Sequence, residues 1–378
     1  MKQTQAPLHQ WISEPLSGEV KKALLRLQRT DDVEHIAVMP DVHLSKDVCI
    51  GTVLATNHTL YPDAIGGDIG CGISAIRIGG RTDWIHKEAS MAKLLRELQH
   101  SIPVQKHHVS QIPDVPDVLG DWPLSSPSLE NQKSRDGVYQ FGTLGRGNHF
   151  LELQVDESGD LWWMCHSGSR AMGQLIRKHH LHYAVASNTG LMGLDTRTIE
   201  GKSYLCDLQW ALIYAEESRR EMLRRATGLV ESMFGMWSEA SSYISSHHNH
   251  VQYEEHEGRF VWVHRKGANR VERGEVVCIP GSMGTMSYHV SGRGEKASLY
   301  SSAHGAGRAM RRGEASQKIS TKSLLKQMNG VYFDMRKAPR LRDEAPDAYK
   351  DIHAVMRAQK KLVRIVRRLR PVFSYKGV

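Results

Sequence analysis

Asp68 and Cys71 stand three positions apart in the run Gly67-Asp68-Ile69-Gly70-Cys71-Gly72. The glycines let this backbone turn sharply, so a carboxylate and a thiol can face one metal ion. Histidines beside glycines or in pairs recur far downstream, in Gly145-Arg146-Gly147-Asn148-His149, His166-Ser167-Gly168-Ser169-Arg170, His247-His248-Asn249 and His304-Gly305-Ala306-Gly307-Arg308. Such a pattern suits a site assembled from several loops.

The candidate ligands are Asp68, Cys71, His149, His166 and His248. A thiolate, several imidazoles and one carboxylate suit Zn, Mn, Fe or Co better than Mg or Ca. No CxxC pair and no HExxH motif is present, which argues against a zinc finger or a zincin. The set exceeds what one four-coordinate ion with an open position needs. Two ions sharing a Cys71 thiolate would use all of it, and paired metals suit phosphoryl transfer. Any one of these histidines taken alone is more simply a structural residue. Their recurrence on glycine-flanked turns is what favours a metal site.

Two further glycine-rich turns, Pro280-Gly281-Ser282-Met283-Gly284 and His304 to Gly307, can offer bare backbone N–H groups to an anion. Neither fits the P-loop pattern. Arg170 and Arg308 each follow such a turn, where a guanidinium fork suits phosphate, although a carboxylate partner is an equally ordinary fate. His304 has no carboxylate close in sequence. It could serve as metal ligand, general base or covalent nucleophile, and residue chemistry leaves the three open.

The elements that must position these groups follow from the apolar patterning. With 378 residues and 40% hydrophobic content the chain can bury a substantial core, and no apolar run approaches the roughly 20 residues of a membrane span. A polar N-terminus without a signal-like stretch and five scattered cysteines point to a reducing cytoplasm. Strands are expected over residues 32–39, 50–55, 73–78, 150–155, 161–165, 260–265, 275–279 and 286–291. Helices are expected over 87–100, 203–234 (as one or two) and 349–369, the last with a basic outer face. Residues 103–135, rich in Pro, Ser and Asp, are expected to form an exposed loop. The pairs His107-His108 and His179-His180 fit the surface. The mixture without a βαβ period indicates one α+β domain over 1–378. The charge of +9, concentrated in Arg308 to Arg312 and Arg364 to Arg370, suits a polyanionic partner.

Taken together, these segments closely resemble the RtcB family of RNA-splicing and RNA-repair ligases. The resemblance rests on Met39-Pro40-Asp41-Val42-His43, Gly66 to Gly72, Gly142-Thr143-Leu144 leading to Asn148-His149-Phe150 and Glu152, His166 to Arg170, and His247-His248-Asn249. It continues through Arg265 to Ala268, Pro280 to Thr285, His304 to Arg308, Ala348 to Asp351 and Tyr375-Lys376-Gly377. The family fold it implies is a single α+β domain with mixed sheets around a metal cleft. The implied activity joins RNA 3′-phosphate or 2′,3′-cyclic phosphate ends to 5′-hydroxyl ends with GTP and two Mn ions, with His304 as the GMP carrier. Cys71 would bridge, with Asp68 and His149 on one ion and His166 and His248 on the other. The nucleotide pocket implied comprises Asn148, His149, Phe150, Leu151, Glu152, His248, Asn249, Pro280, Gly281, Ser282, Met283, Ser287, His304, Gly305, Ala306, Gly307, Tyr349 and Lys376. Glu152 would accept from the guanine N1 and N2 donors, while Ser287 and Lys376 would read the other edge. Arg170 and Arg308 would contact phosphate. Implied partners are broken RNA, such as tRNA or rRNA, and GTP, with an archease-like protein as candidate activator.

The chain departs from the family pattern at Arg146, where a glycine is usual, at Leu44 to Asp47, where glycines are more usual, and at Ser218, where an asparagine is usual. The alternatives to a ligase are a two-metal phosphoesterase or cyclic-phosphate hydrolase, and an RNA-binding accessory protein with a relict site.

Overall fold

Alternating side chains in Phe150–Asp156 and Leu161–Ser167 divide a sheet into an apolar face and a face that carries chemistry. In the computed structural model, which describes residues 5–378, these two strands lie inside a seven-stranded sheet. Its order is Trp237–His247, Gly72–Gly79, Leu161–Ser167, Phe150–Asp156, Val363–Lys376, Ser287–Gly292 and Val276–Ile279. Every neighbouring pair is antiparallel. Leu151, Leu153, Trp163 and Cys165 pack on one face, against Leu94 and Leu98 of the helix Glu88–Ser101 and Met222 and Leu223 of the helix Ile199–Phe234. Phe150, Ile73 and Met164 lie in a separate cluster on the other face, the side on which Glu152 and Ser287 point towards the cleft.

A second, five-stranded sheet has the order Leu8–Gln10, Val33–His43, Ile50–Thr56, Arg259–Lys266, Asn249–His256. The chain passes from Trp237–His247 in one sheet to Asn249–His256 in the other across His248. Backbone bonds pin that crossing: His248 N donates to Cys71 O at 2.8 Å, and Ala268 N donates to His248 O at 3.1 Å. The result is one α+β domain with the cleft between its sheets.

Three expectations meet a different structure. The segment expected as a terminal helix over 349–369 is helical only in Ile352–Ala358; Val363–Lys376 is a strand. Two partner strands, Ser287–Gly292 and Phe150–Asp156, hold it, and its Val363, Ile365 and Val366 favour the pleated state. Residues 103–135 are only partly an exposed loop. Short helices at Asp117–Gly120 and Pro127–Gln132 drop Leu119, Leu124 and Leu129 into the core beside Leu208 and Trp210. His107 and His180 are buried rather than superficial, and His180 Nε2 lies 2.6 Å from Asp207 Oδ2. Residues 203–234 belong to one unbroken helix. It starts at the Thr198 cap, whose side chain accepts from Gly201 N, and stops at Gly235 in the left-handed region, φ 65°. No helix among the described residues is long and apolar enough to cross a membrane.

Candidate active site

Asp68, Cys71, His149, His166 and His248 come together although they arise from four separate segments. The ligand atoms of Asp68, Cys71 and His149 lie within 4.8 Å of one another, and so do those of Cys71, His166 and His248. Cys71 belongs to both groups. Its Sγ is 3.2 Å from His166 Nε2 and 3.6 Å from His149 Nε2. His149 Nε2 is 3.0 Å from Asp68 Oδ2, and His166 Nε2 is 3.3 Å from His248 Nε2.

The proton assignment decides what this convergence means. His149 Nδ1 lies 3.1 Å from Leu144 O, and His166 Nδ1 lies 3.1 Å from Asn148 O. A carbonyl can only accept, so each Nδ1 carries a proton, and the neutral form of each ring presents its Nε2 lone pair. Lone pairs, a carboxylate and a thiol thus point at one another, an arrangement that a cation relieves. Asp68 Oδ1 and His248 Nδ1 are buried without a hydrogen-bond partner. Burial drives His166 and His248 well below the usual imidazole range, so both are neutral. Burial pushes the Cys71 thiol well up, and the Asp68 charge adds to this; a bound cation reverses that balance and deprotonates a ligating thiol. The donor set fits a pair of divalent transition-metal ions.

Close approach explains two of the glycines. A Cβ at Gly168 would meet the Asp68 carboxylate, and one at Gly145, where φ is +95°, would meet the His149 ring. A buried arginine ties the ligand loops together. Arg219 donates from Nη1 to Gly70 O at 2.9 Å and Ser167 O at 3.1 Å, and from Nε to Ser74 Oγ at 2.9 Å. Ser218 beside it accepts from Gly142 N at 2.9 Å.

His304 stands next to this cluster, its ring centroid 4.7 Å from that of His248. Its Nδ1 lies 2.6 Å from Oδ2 of Asp41, which is fully buried. The carboxylate also accepts from His304 N at 3.2 Å. With Nδ1–H given to Asp41, the lone pair sits on Nε2. Asp41 is the carboxylate that local sequence did not supply.

A cavity of about 280 Å³ opens beside His304. Its lining includes Asn148, Phe150, Glu152, His166, the turn from Pro280 through Gly281 and Ser282 to Met283, His304 with Gly305, Ala306, Gly307 and Arg308, and Tyr349 and Lys376. Glu152 is 2% exposed, and burial pushes its carboxyl up to about 7. It accepts from Gln154 Nε2 at 2.9 Å and Ser374 Oγ at 3.0 Å. Ser287 joins the same network, accepting from Gln154 Nε2 at 3.2 Å.

Glu344, which the sequence did not single out, organises one wall. It receives Lys376 Nζ at 2.5 Å, Tyr349 OH and Arg312 Nη1 both at 2.6 Å, and Arg308 Nη1 at 3.2 Å. Burial favours its proton, but the Lys376 and Arg312 cations outweigh this and hold its carboxyl below the usual range. Arg308 also gives Nη2 to Asp343 O at 2.6 Å, so the wall already engages much of its fork. Arg170 donates to Thr143 Oγ1 and Val104 O, both at 3.2 Å. Five residues of the expected pocket lie outside its lining: His149 and His248 belong to the metal-ligand cluster, Ser287 to the hydrogen-bond network of Glu152, and Leu151 and Asn249 lie elsewhere. Leu151 is buried in the core on the opposite face of the sheet. Asn249 braces the metal turn, donating to Asp68 O at 3.1 Å and accepting from Gly267 N at 2.9 Å. Arg146 is exposed, its guanidinium facing the Gln105 amide.

A cluster of candidate metal ligands, a carboxylate-oriented histidine and an adjoining cavity in one cleft suit nucleotidyl or phosphoryl transfer. The family model described as tRNA-splicing ligase RtcB matches residues 24–119 and 117–377. An RNA-splicing ligase RtcB from Escherichia coli strain K12 is 33% identical over 406 residues, covering 98% of each chain. The tRNA-splicing ligase RtcB of Aeropyrum pernix is 26% identical over 90% of this chain and 87% of its own. The RNA-splicing ligase RtcB of Mycobacterium tuberculosis is 27% identical over 90% and 96%. The chain belongs to the RtcB family and is an RNA ligase of that family.

Proposed function

We propose that this chain is a GTP- and Mn²⁺-dependent ligase that joins RNA 3′-phosphate or 2′,3′-cyclic phosphate ends to 5′-hydroxyl ends. The observation that carries this reading is the Asp41–His304 pair placed between the metal cluster and the cavity. Two Mn²⁺ ions held by Asp68, Cys71, His149, His166 and His248 would supply Lewis-acid polarisation of phosphate oxygens.

The chain's own groups do the rest. His304 Nε2 attacks the α-phosphorus of GTP; a P–N bond forms and pyrophosphate leaves. Asp41 keeps the ring oriented and compensates the positive charge that develops on it. The RNA 3′-phosphate oxygen then takes the GMP, restoring the imidazole and giving an RNA-3′-pp-5′-G end. The 5′-hydroxyl attacks the 3′-phosphorus, forms the phosphodiester and releases GMP. A cyclic end is first opened by water to a 3′-phosphate. Glu152 at the buried end of the cavity suits the N1 and N2 donors of guanine, with Ser287 and Lys376 nearby.

A hydrolase needs no such covalent carrier, so the oriented His304 weighs against a phosphoesterase. The reading also places the chain in the cytoplasm, in RNA repair, with an archease-like activator as a further partner. The test is to combine a 3′-phosphate RNA, a 5′-hydroxyl RNA, Mn²⁺ and either GTP or ATP. Joined product with GTP alone is expected. Opening of the cyclic phosphate without joining, under every nucleotide condition, would favour the hydrolase.

A further inference from the structure

A second hollow, about 460 Å³, adjoins the first. The two share His43, Ile50, Arg308 and Arg312 in their linings, so the outer hollow leads to the cavity that holds His304. One wall is the segment from Glu14 to Val20, and the facing wall is Arg308 to Arg312 with Lys350. This is the arginine-rich run whose charge the cleft chemistry leaves unassigned in the case of Arg311.

Two ion pairs span the hollow. Arg311 Nη2 is 3.0 Å from Glu19 Oε2, with side chains 71% and 68% exposed. Lys350 Nζ is 3.0 Å from Glu14 Oε1, and Glu14 is 55% exposed. The Arg311–Glu19 pair is solvated on both sides and therefore weak and readily exchanged, whereas Lys350 is 8% exposed and only its Glu14 partner is solvated. Lys350 is anchored differently from its carboxylate partner. Lys350 Nζ also donates to Val42 O at 2.7 Å, so it is fixed in place whatever Glu14 does. Arg311 directly precedes the helix Arg312–Lys318. Glu14 and Glu19, both more than half exposed, are therefore the anions of the two pairs that an incoming anion can replace.

We infer that this groove receives the ribose-phosphate backbone of an RNA end on its way to His304, and that phosphates displace Glu19 from Arg311 and Glu14 from Lys350. The inference rests on the ligase reading for the identity of the polyanion. Its volume exceeds that of the neighbouring cavity, leaving room for at least one nucleotide outside the nucleotide pocket. The two carboxylates lower affinity for any anion that does not bring enough charge to replace them, which favours a strand over a free nucleotide.

The test uses the full chain and a fluorescent ten-nucleotide single-stranded RNA with a 5′-hydroxyl and a 3′-phosphate. Binding is followed by anisotropy at low and physiological salt, in parallel with GMP attachment from GTP without RNA. Arg311→Ala is expected to weaken RNA binding roughly threefold to tenfold, and Glu19→Gln to tighten it about twofold to fivefold. Neither should alter GMP attachment, since neither residue lines the nucleotide cavity. Unchanged RNA affinity in both variants would overturn the groove assignment, as would tighter binding by Arg311→Ala. Failure of GMP attachment in the parent chain would strike the ligase reading alone, because the groove is judged by binding.

Discussion

Asp41 Oδ2 lies 2.6 Å from His304 Nδ1, and the two residues are 263 positions apart in the chain. The contact fixes which nitrogen of His304 can act. Asp41→Asn keeps the shape but removes the charge that compensates the ring, and its amide can turn an N–H towards Nδ1 and so favour the wrong tautomer. GMP attachment should slow by about two to four orders of magnitude, with GTP binding little changed. Single-turnover transfer at saturating GTP measures this. A rate near that of the parent chain would show that Asp41 does not orient the nucleophile.

Cys71 is common to both ligand groups, so its loss should affect both ions. Cys71→Ala is expected to strip bound Mn²⁺ and stop both GMP attachment and RNA joining. Metal content per chain, determined by mass spectrometry after gel filtration, checks the first part. Full metal content with full activity at low Mn²⁺ would contradict a bridging role.

Glu152 titrates near 7 because burial disfavours its charge. The ionised form can accept from two guanine donors, whereas the protonated form turns one oxygen into a donor. GTP affinity should therefore rise as pH increases through about 7 and fall below it. Glu152→Gln should flatten that dependence and weaken preference for GTP over ATP. Calorimetric titration between pH 6 and 8, on the order of one unit either side of that value, reads the effect. An unchanged pH profile in the variant would assign the titration to another group.

His264 couples stability to acid. Its Nδ1 donates to Trp262 O at 3.2 Å and its Nε2 accepts from Tyr61 N at 3.1 Å, which only a neutral ring can do. Burial lowers it from 6.5 to about 4. Between those values the unfolded chain binds more protons than the folded one, so stability rises with pH across the window. It is fully present above about 6.5 and is lost as pH falls towards 4. His43 and His107, also lowered to about 4 by burial, act with the same sign. Urea midpoints should drop across this range, less steeply in His264→Gln. Identical slopes for variant and parent would contradict the assignment.

The ligands were legible because Asp68, Cys71, His149 and His166 lie near glycines and His248 in a histidine pair, a local signal. Asp41, Glu344 and Arg219 were not, since each acts through partners brought near by sheet pairing rather than by spacing. The strands Trp237–His247 and Asn249–His256 escaped for a related reason. The first is largely exposed or lines the site, so serine and histidine replace the apolar alternation that marks a strand. Val363–Lys376 carried apolar and basic residues that fit either period, and only its two neighbouring strands decide the outcome. Most other strands and the helix Glu88–Ser101 followed directly from their apolar patterns.

The central claim is that His304 becomes covalently attached to GMP. The most direct measurement incubates the chain with Mn²⁺ and GTP labelled at the α-phosphate, then denatures it and looks for bound label. The account expects label that is acid-labile and alkali-stable, and that is absent from His304→Ala. A chain with Mn²⁺ demonstrably bound that acquires no label, or that acquires it equally in His304→Ala, would contradict the account.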